Sequence, residues 1–178
     1  FTSVIKGNAY GHGIEEFIPV AEEAGVRHFA VFNAHEALRA QRTITHGSQL
    51  MIMGMIDNDE LNWAIENEVE FFVFDLDRLM EAIESAKQVK KPAKIHLELE
   101  TGLNRTGFYG NNFRKAMDIL QKEEGHFELE GVCTHYAGAE HIGNYLRVKQ
   151  QIKTFKQQYK RLVKRNLIPK YRHTACSA

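Results

Sequence analysis

A chain of 178 residues, 43% of them apolar, is long enough to bury one substantial core, so a single domain is the first expectation. Lys plus Arg number 23 and Asp plus Glu 23, a formal net charge of zero, which argues against a globally basic nucleic-acid binder or a polyacidic tail. No apolar stretch approaches the roughly 20 residues a bilayer needs, the first residues do not read as a signal peptide, and Cys133 and Cys176 form no Cys-x-x-Cys pair, so a soluble protein in a reducing, cytoplasmic setting is expected.

Runs rich in β-branched or aromatic residues recur at 2–6, 28–32, 49–54, 70–75, 94–101, 127–135 and 171–178. Each reads as a strand. Between them, apolar residues fall at helical spacing in Ile14, Phe17, Ile18 and Ala21, then in Leu76, Leu79, Met80 and Ile83, then in Phe113, Ala116, Met117 and Leu120. Asn33 stands three before Glu36 and Asp57 three before Glu60, both patterns for a capping box. Pro92 and Pro169 stop helices just before strands, while Pro19 inside the first helical pattern implies a late start or a kink. From Arg147 to Arg165 eight Lys or Arg and no acid interleave with apolar residues at helical spacing, which reads as an outer helix with a solvated cationic face. Trp63 and the Phe71-Phe72 pair read as core.

Strict alternation of strand and helix without hairpin signals implies parallel strands and right-handed crossovers, hence an α/β fold. In the fifth run Leu97 and Leu99 alternate with His96, Glu98 and Glu100. A strand covered by helices on both faces should be apolar throughout, so the alternation favours a (β/α)8 barrel with a polar lumen, here incomplete with about seven of its eight strands.

Barrel chemistry sits where strands end. Lys6 ends the first strand beside Gly7, Gly11, Gly13 and Tyr10; Arg105 follows the fifth; His135 ends the sixth; Ser177 lies in the seventh. A strand-end lysine desolvated in a barrel mouth has a lowered pKa and offers a neutral amine for a Schiff base; on position alone Lys6 reads as an ordinary lysine reaching into solvent, and the glycine-rich turn beside it raises the functional reading. The adjoining glycines let backbone approach an anion to which the Tyr10 hydroxyl donates.

Residues 4–13, VIKGNAYGHG, resemble the pyridoxal-phosphate lysine motif of alanine racemases, usually written VKANAYGHG. Residues 100–107 resemble that family's DTGMxRxG, Thr134-His135 its TH pair, and residues 173–178 its HxANSA, so four motifs occur in the family's order along the whole chain. The resemblance implies the N-terminal barrel portion, residues 1–178, of a pyridoxal 5'-phosphate-dependent racemase that interconverts L- and D-alanine for peptidoglycan synthesis. It also implies a small amino acid as substrate, no nucleic-acid or membrane partner, and a parent homodimer with shared active sites. Lys6 would hold the cofactor and act as one of two bases. Tyr10 and Ser177 would bind its phosphate, His135 would lie at the pyridine ring, and Arg105 would reach the phenolic oxygen and the substrate side.

The chain departs from the family's pattern in places. Gly7 stands for an alanine, Glu100 for an aspartate and Cys176 for an asparagine. Glu98 stands where many members carry a lysine that becomes a carbamylated anion, and it is expected to pair with and position Arg105. The second base, a tyrosine of a C-terminal β domain, and the arginine that bonds the pyridine nitrogen lie outside this chain, with the last barrel unit, so the fragment should be inactive alone. Two other readings compete: a metal-dependent hydrolase using His96, Glu98, His135, Glu140 and His141, and a non-catalytic carrier of the same cofactor.

Overall fold

The structure, a computed structural model, describes residues 1–174. All seven expected strands form: β1 (Ser3–Val4), β2 (His28–Val31), β3 (Gln49–Ile52), β4 (Glu70–Val73), β5 (Ala93–Glu98), β6 (Phe127–Thr134) and β7 (Tyr171–Thr174). They make one parallel sheet whose order is the order in sequence, β1 to β7. An open doubly wound sheet reverses its order at a switch point, and this one does not. The sheet also curls hard: His28 on β2 hydrogen-bonds Glu70 on β4, and His96 on β5 meets His173 on β7, so strands two apart touch through their inner side chains. The chain is a curled half-barrel of the (β/α)8 type.

Helices α2 (Ile14–Glu23), α3 (Ala34–Thr43), α4 (Asn58–Glu66), α5 (Leu76–Val89), α6 (Gly110–Lys122) and α7 (Tyr145–Lys164) cover the outer face. The core lies between the two layers, where Phe29, Val31, Phe71, Val73, Ile95 and Leu97 from the strands meet Ile18, Leu61, Leu79, Phe113, Leu120 and Leu162 from the helices. Leu97 and Leu99 therefore face the helices and His96 and Glu98 the lumen, all four buried. Met80 departs from its expected place in a helical stripe and is half exposed. α2 does not start late at Pro19; it begins at Ile14 and carries the proline inside, forgoing one backbone hydrogen bond.

At α4 the capping box closes, with Glu60 accepting from the Asp57 N–H at 3.1 Å. At α3 only half of it forms: Asn33 accepts from the Glu36 N–H at 2.9 Å, but the Glu36 carboxylate goes elsewhere. In α7 Phe155 and Leu162 are buried while Lys153, Lys156 and Lys160 are solvated, as expected of an outer helix. Among the described residues no helix is long and apolar enough to cross a membrane.

Candidate active site

Lys6 follows the buried Ile5 at the end of β1 and opens the short segment α1 (Lys6–Tyr10), which is not a right-handed helix. Gly7, Asn8, Ala9 and Tyr10 have φ of +61, +54, +53 and +53°, a full left-handed turn. A left-handed conformation costs an L-residue roughly 1–2 kcal/mol, so the three non-glycine positions together call for several kcal/mol of compensation. Part comes from the turn itself, where the Ala9 N–H donates to the Ile5 carbonyl at 2.8 Å and the Gly13 N–H to the Asn8 carbonyl at 3.0 Å. Gly7 supplies the first left-handed residue without a side-chain penalty, and a Cβ there would meet nothing within 4 Å. Lys6 is exposed, not desolvated as expected from sequence, and Tyr10 is exposed beside it.

Arg105 sits on the β5–α6 loop, which folds back on its own strand: the Phe108 N–H donates to the Glu98 carbonyl at 2.8 Å and the Glu100 N–H to the Phe108 carbonyl at 3.1 Å. Gly107 is required by that close approach, since a Cβ there would lie 2.6 Å from the Glu100 nitrogen. The Glu100 carboxylate accepts from the Gly102 N–H and, at 2.8 Å, from the Asn104 N–H, so this longer acid cradles the loop from within. The loop borders a cavity of about 240 Å³ lined by Asp75, Arg105, Thr106 and Asn112.

Thr134, at the end of β6, donates to the Leu99 carbonyl at 2.7 Å and receives the Thr101 hydroxyl at 2.8 Å. This tie joins the end of β6, just before His135, to the start of the loop that carries Arg105. Burial lowers the His135 pKa, and the charges of Arg105 and Lys6 lower it further, so the imidazole is neutral at pH 7. Because the strands are parallel, Lys6, Arg105 and His135, which follow β1, β5 and β6, all lie beyond the same end of the sheet. Ser177 and Cys176 lie outside the described residues.

Glu98 is buried in the lumen below Arg105, but it does not take Arg105 as a direct partner. Its carboxylate accepts from the Thr106 hydroxyl at 2.8 Å, and no ion pair forms with the exposed guanidinium. Burial raises the Glu98 pKa; the Thr106 hydrogen bond and the more distant charge of Arg105 offset this only in part. The expected pairing is thus indirect, through the residue that follows Arg105.

A second polar network fills the lumen deeper down. Glu70 accepts from His96 Nε2 at 2.6 Å and His28 Nε2 at 3.2 Å; Thr2 Oγ1 lies 2.6 Å from His28 Nδ1, and His96 Nδ1 lies 2.9 Å from His173 Nε2. Both ring nitrogens of His96 are therefore engaged, and among the described residues no three His, Cys, Asp or Glu are placed to hold a metal ion. The metal-hydrolase reading loses its ligand set here. Sequence reasoning missed the roles of Glu70 and His28, which are single polar residues at strand starts, and of Glu36, whose spacing from Asn33 suggested only a local cap.

Pyridoxal phosphate fits the residue types at the upper mouth: one amine at a strand end, an open turn with a phenol, a neutral imidazole and an exposed guanidinium. The family "Alanine racemase, N-terminal domain" matches residues 1–178. The alanine racemase of Pediococcus pentosaceus is 35% identical over 99% of this chain and 45% of its own length, and alanine racemase 2 of Caldanaerobacter subterraneus 34% identical over 98% and 44%. Among solved structures, alanine racemase from Streptomyces lavendulae aligns with a TM-score of 0.90 at 26% identity, covering 98% of this chain and 46% of that one. The Bacillus anthracis enzyme with bound L-Ala-P aligns with a TM-score of 0.86 at 32% identity, covering 99% and 45%. The chain spans about 45% of the length of the curated relatives it matches. Motif order, parallel half-barrel and full-length family match together establish that this chain belongs to the alanine racemase N-terminal domain family.

Proposed function

We propose that this chain is the cofactor-binding barrel portion of a pyridoxal-phosphate-dependent alanine racemase that interconverts L- and D-alanine in the cytoplasm for peptidoglycan synthesis. The observation that carries the reading is that Lys6, Arg105 and His135 follow the C-terminal ends of three parallel strands, β1, β5 and β6, at one end of the sheet. The relatives supply the racemase name; the mouth supplies residue types that suit it. On this reading the last barrel unit, the C-terminal β domain and a second subunit contribute the remaining groups, including the base opposite Lys6.

When bound, pyridoxal phosphate supplies an electron sink for the charge left at the substrate Cα once its proton is removed. The chain's own residues do the rest. The Lys6 amine holds the cofactor and then takes or returns the Cα proton on its face of the substrate. The Tyr10 hydroxyl and Ser177 bind the phosphate, helped by the open backbone of the left-handed turn. His135, kept neutral by burial and by the charges of Arg105 and Lys6, would lie at the pyridine ring without adding a third positive charge. Arg105 would supply a guanidinium cation for the phenolic oxygen and the substrate side.

The reading is tested by an absorbance titration with pyridoxal phosphate, before and after borohydride. A band characteristic of a lysine-bound cofactor, trapped by reduction on Lys6 and absent in Lys6→Ala, is the expected result. No band, or one that survives Lys6→Ala, overturns it.

A further inference from the structure

We propose that Glu36 is a positioning residue for the site: its carboxylate, together with the Arg39–Glu15 pair that holds the Asn8 side chain, keeps the left-handed turn in the one arrangement that presents Lys6 at the barrel mouth.

A turn of four successive left-handed residues, three of them with side chains, does not persist unless its surroundings fix it. Glu36 is placed to do so. It lies in the first turn of α3 and is buried. One oxygen, Oε1, accepts from the Asn8 N–H inside the turn at 3.1 Å; the other, Oε2, accepts from the Phe32 N–H just past β2 at 2.9 Å. A single carboxylate thus clamps the lysine turn to the neighbouring strand end. A residue in the first turn of a helix ordinarily folds back on its own cap, and this one is diverted from it.

The second half of the brace runs through the Asn8 side chain. Its Oδ1 accepts from Arg39 at 2.8 Å and from the Ile14 N–H, the first residue of α2, at 3.3 Å. Arg39 is in turn held by Glu15 in a two-pronged contact at 2.8 and 2.6 Å. Backbone and side chain of one residue, Asn8, are therefore pinned from β2, α2 and α3 at once. Lys6 itself makes none of these contacts, and its placement follows from the backbone two residues on. A bidentate acceptor is needed, because both groups facing Glu36 are N–H donors; an amide at this position presents one donor to a donor.

This inference rests on the proposed role of Lys6, and its test separates the two. Glu36→Gln and Arg39→Met are compared with the parent in the full chain by amide hydrogen exchange and by titration with pyridoxal phosphate. In Glu36→Gln, exchange of the amides of residues 8–11 rises at least tenfold while strand amides hold. The cofactor dissociation constant rises about tenfold or more, and the pH midpoint of the lysine-bound band moves. Arg39→Met moves the same readouts in the same direction by less. Unchanged exchange in the turn overturns the brace whether or not the parent binds cofactor, and faster exchange with an unaltered band and affinity overturns its positioning role. A parent that binds no cofactor overturns the reading of Lys6 and with it the positioning role, leaving a purely structural clamp.

Discussion

His96 and His173 meet at 2.9 Å across the barrel lumen because the residue between them on β6 is Gly131. A Cβ at that position would lie 2.2 Å from His96 Nδ1 and 3.0 Å from His173 Nε2, inside their hydrogen bond. The φ of Gly131 is not in the left-handed region, so the glycine is there for space alone. Gly131→Ala should therefore separate the imidazoles and overpack the lumen, at a cost of about 1–3 kcal/mol. Denaturant unfolding measures it, and a variant as stable as the parent would mean the lumen yields more easily than the geometry says.

The same network makes the fold sensitive to acid. Burial lowers the His173 pKa to about 4 from 6.5, with the charges of His96 and His28 adding to it, so His173 is folded in its neutral form. Burial of Glu70 alone would raise its pKa, but hydrogen bonds from His28 and His96 carry it down to about 2 from 4.5. For both groups the folded pKa lies below the unfolded one. The contribution of His173 is complete above pH 6.5 and disappears as the pH falls toward 4; that of Glu70 is complete above pH 4.5 and disappears toward 2. Each shift corresponds to about 3 kcal/mol at full protonation. Stability should be flat near neutrality, begin to fall below pH 6.5 and steepen below 4.5. Unfolding curves across that range check it, and His173→Gln should remove the upper part of the decline.

How much of this could be read from the letters depends on the range of the interaction. The strands were legible because each is a short β-branched run, and the barrel was legible because β5 alternates Leu97 and Leu99 with His96 and Glu98. Local caps were half legible: Asp57 and Glu60 close on each other, while Glu36 satisfies Asn8, a partner 28 residues away that no spacing announces. Glu70 and His28 look like ordinary strand-start polar residues until curvature brings β2 and β4 together. The desolvated lysine and the direct pair of Glu98 with Arg105 were misread for one reason: sequence places a residue at a strand end but does not say which way its loop carries it.

Glu98 yields a prediction of opposite sign to Glu70. Its pKa is raised, chiefly by burial, so the folded state disfavours its charge and the carboxylate costs stability above its folded pKa. Glutamine keeps an acceptor for the Thr106 hydroxyl and removes the buried charge. Relative to the parent, Glu98→Gln should gain stability as the pH rises from 4.5, the unfolded carboxylate value, to the raised folded pKa, and hold that gain above it. A difference that is flat or shrinks with pH would show that Glu98 finds a compensating cation.

Gly7 isolates the backbone strain of the lysine turn from any packing effect. Its φ is +61° and a Cβ would touch nothing within 4 Å, so Gly7→Ala introduces no clash and acts only through the left-handed conformation. The expected loss is about 1 kcal/mol, the left-handed penalty of one L-residue, partly offset by the reduced freedom of the unfolded chain. Because the turn carries Lys6, the loss should be accompanied by faster amide exchange at residues 8–11, and combining Gly7→Ala with Glu36→Gln should cost more than the two changes separately. Simple additivity in the double variant would mean that the first residue of the turn and its clamp act independently, and the turn would then have to be held chiefly by its own backbone hydrogen bonds.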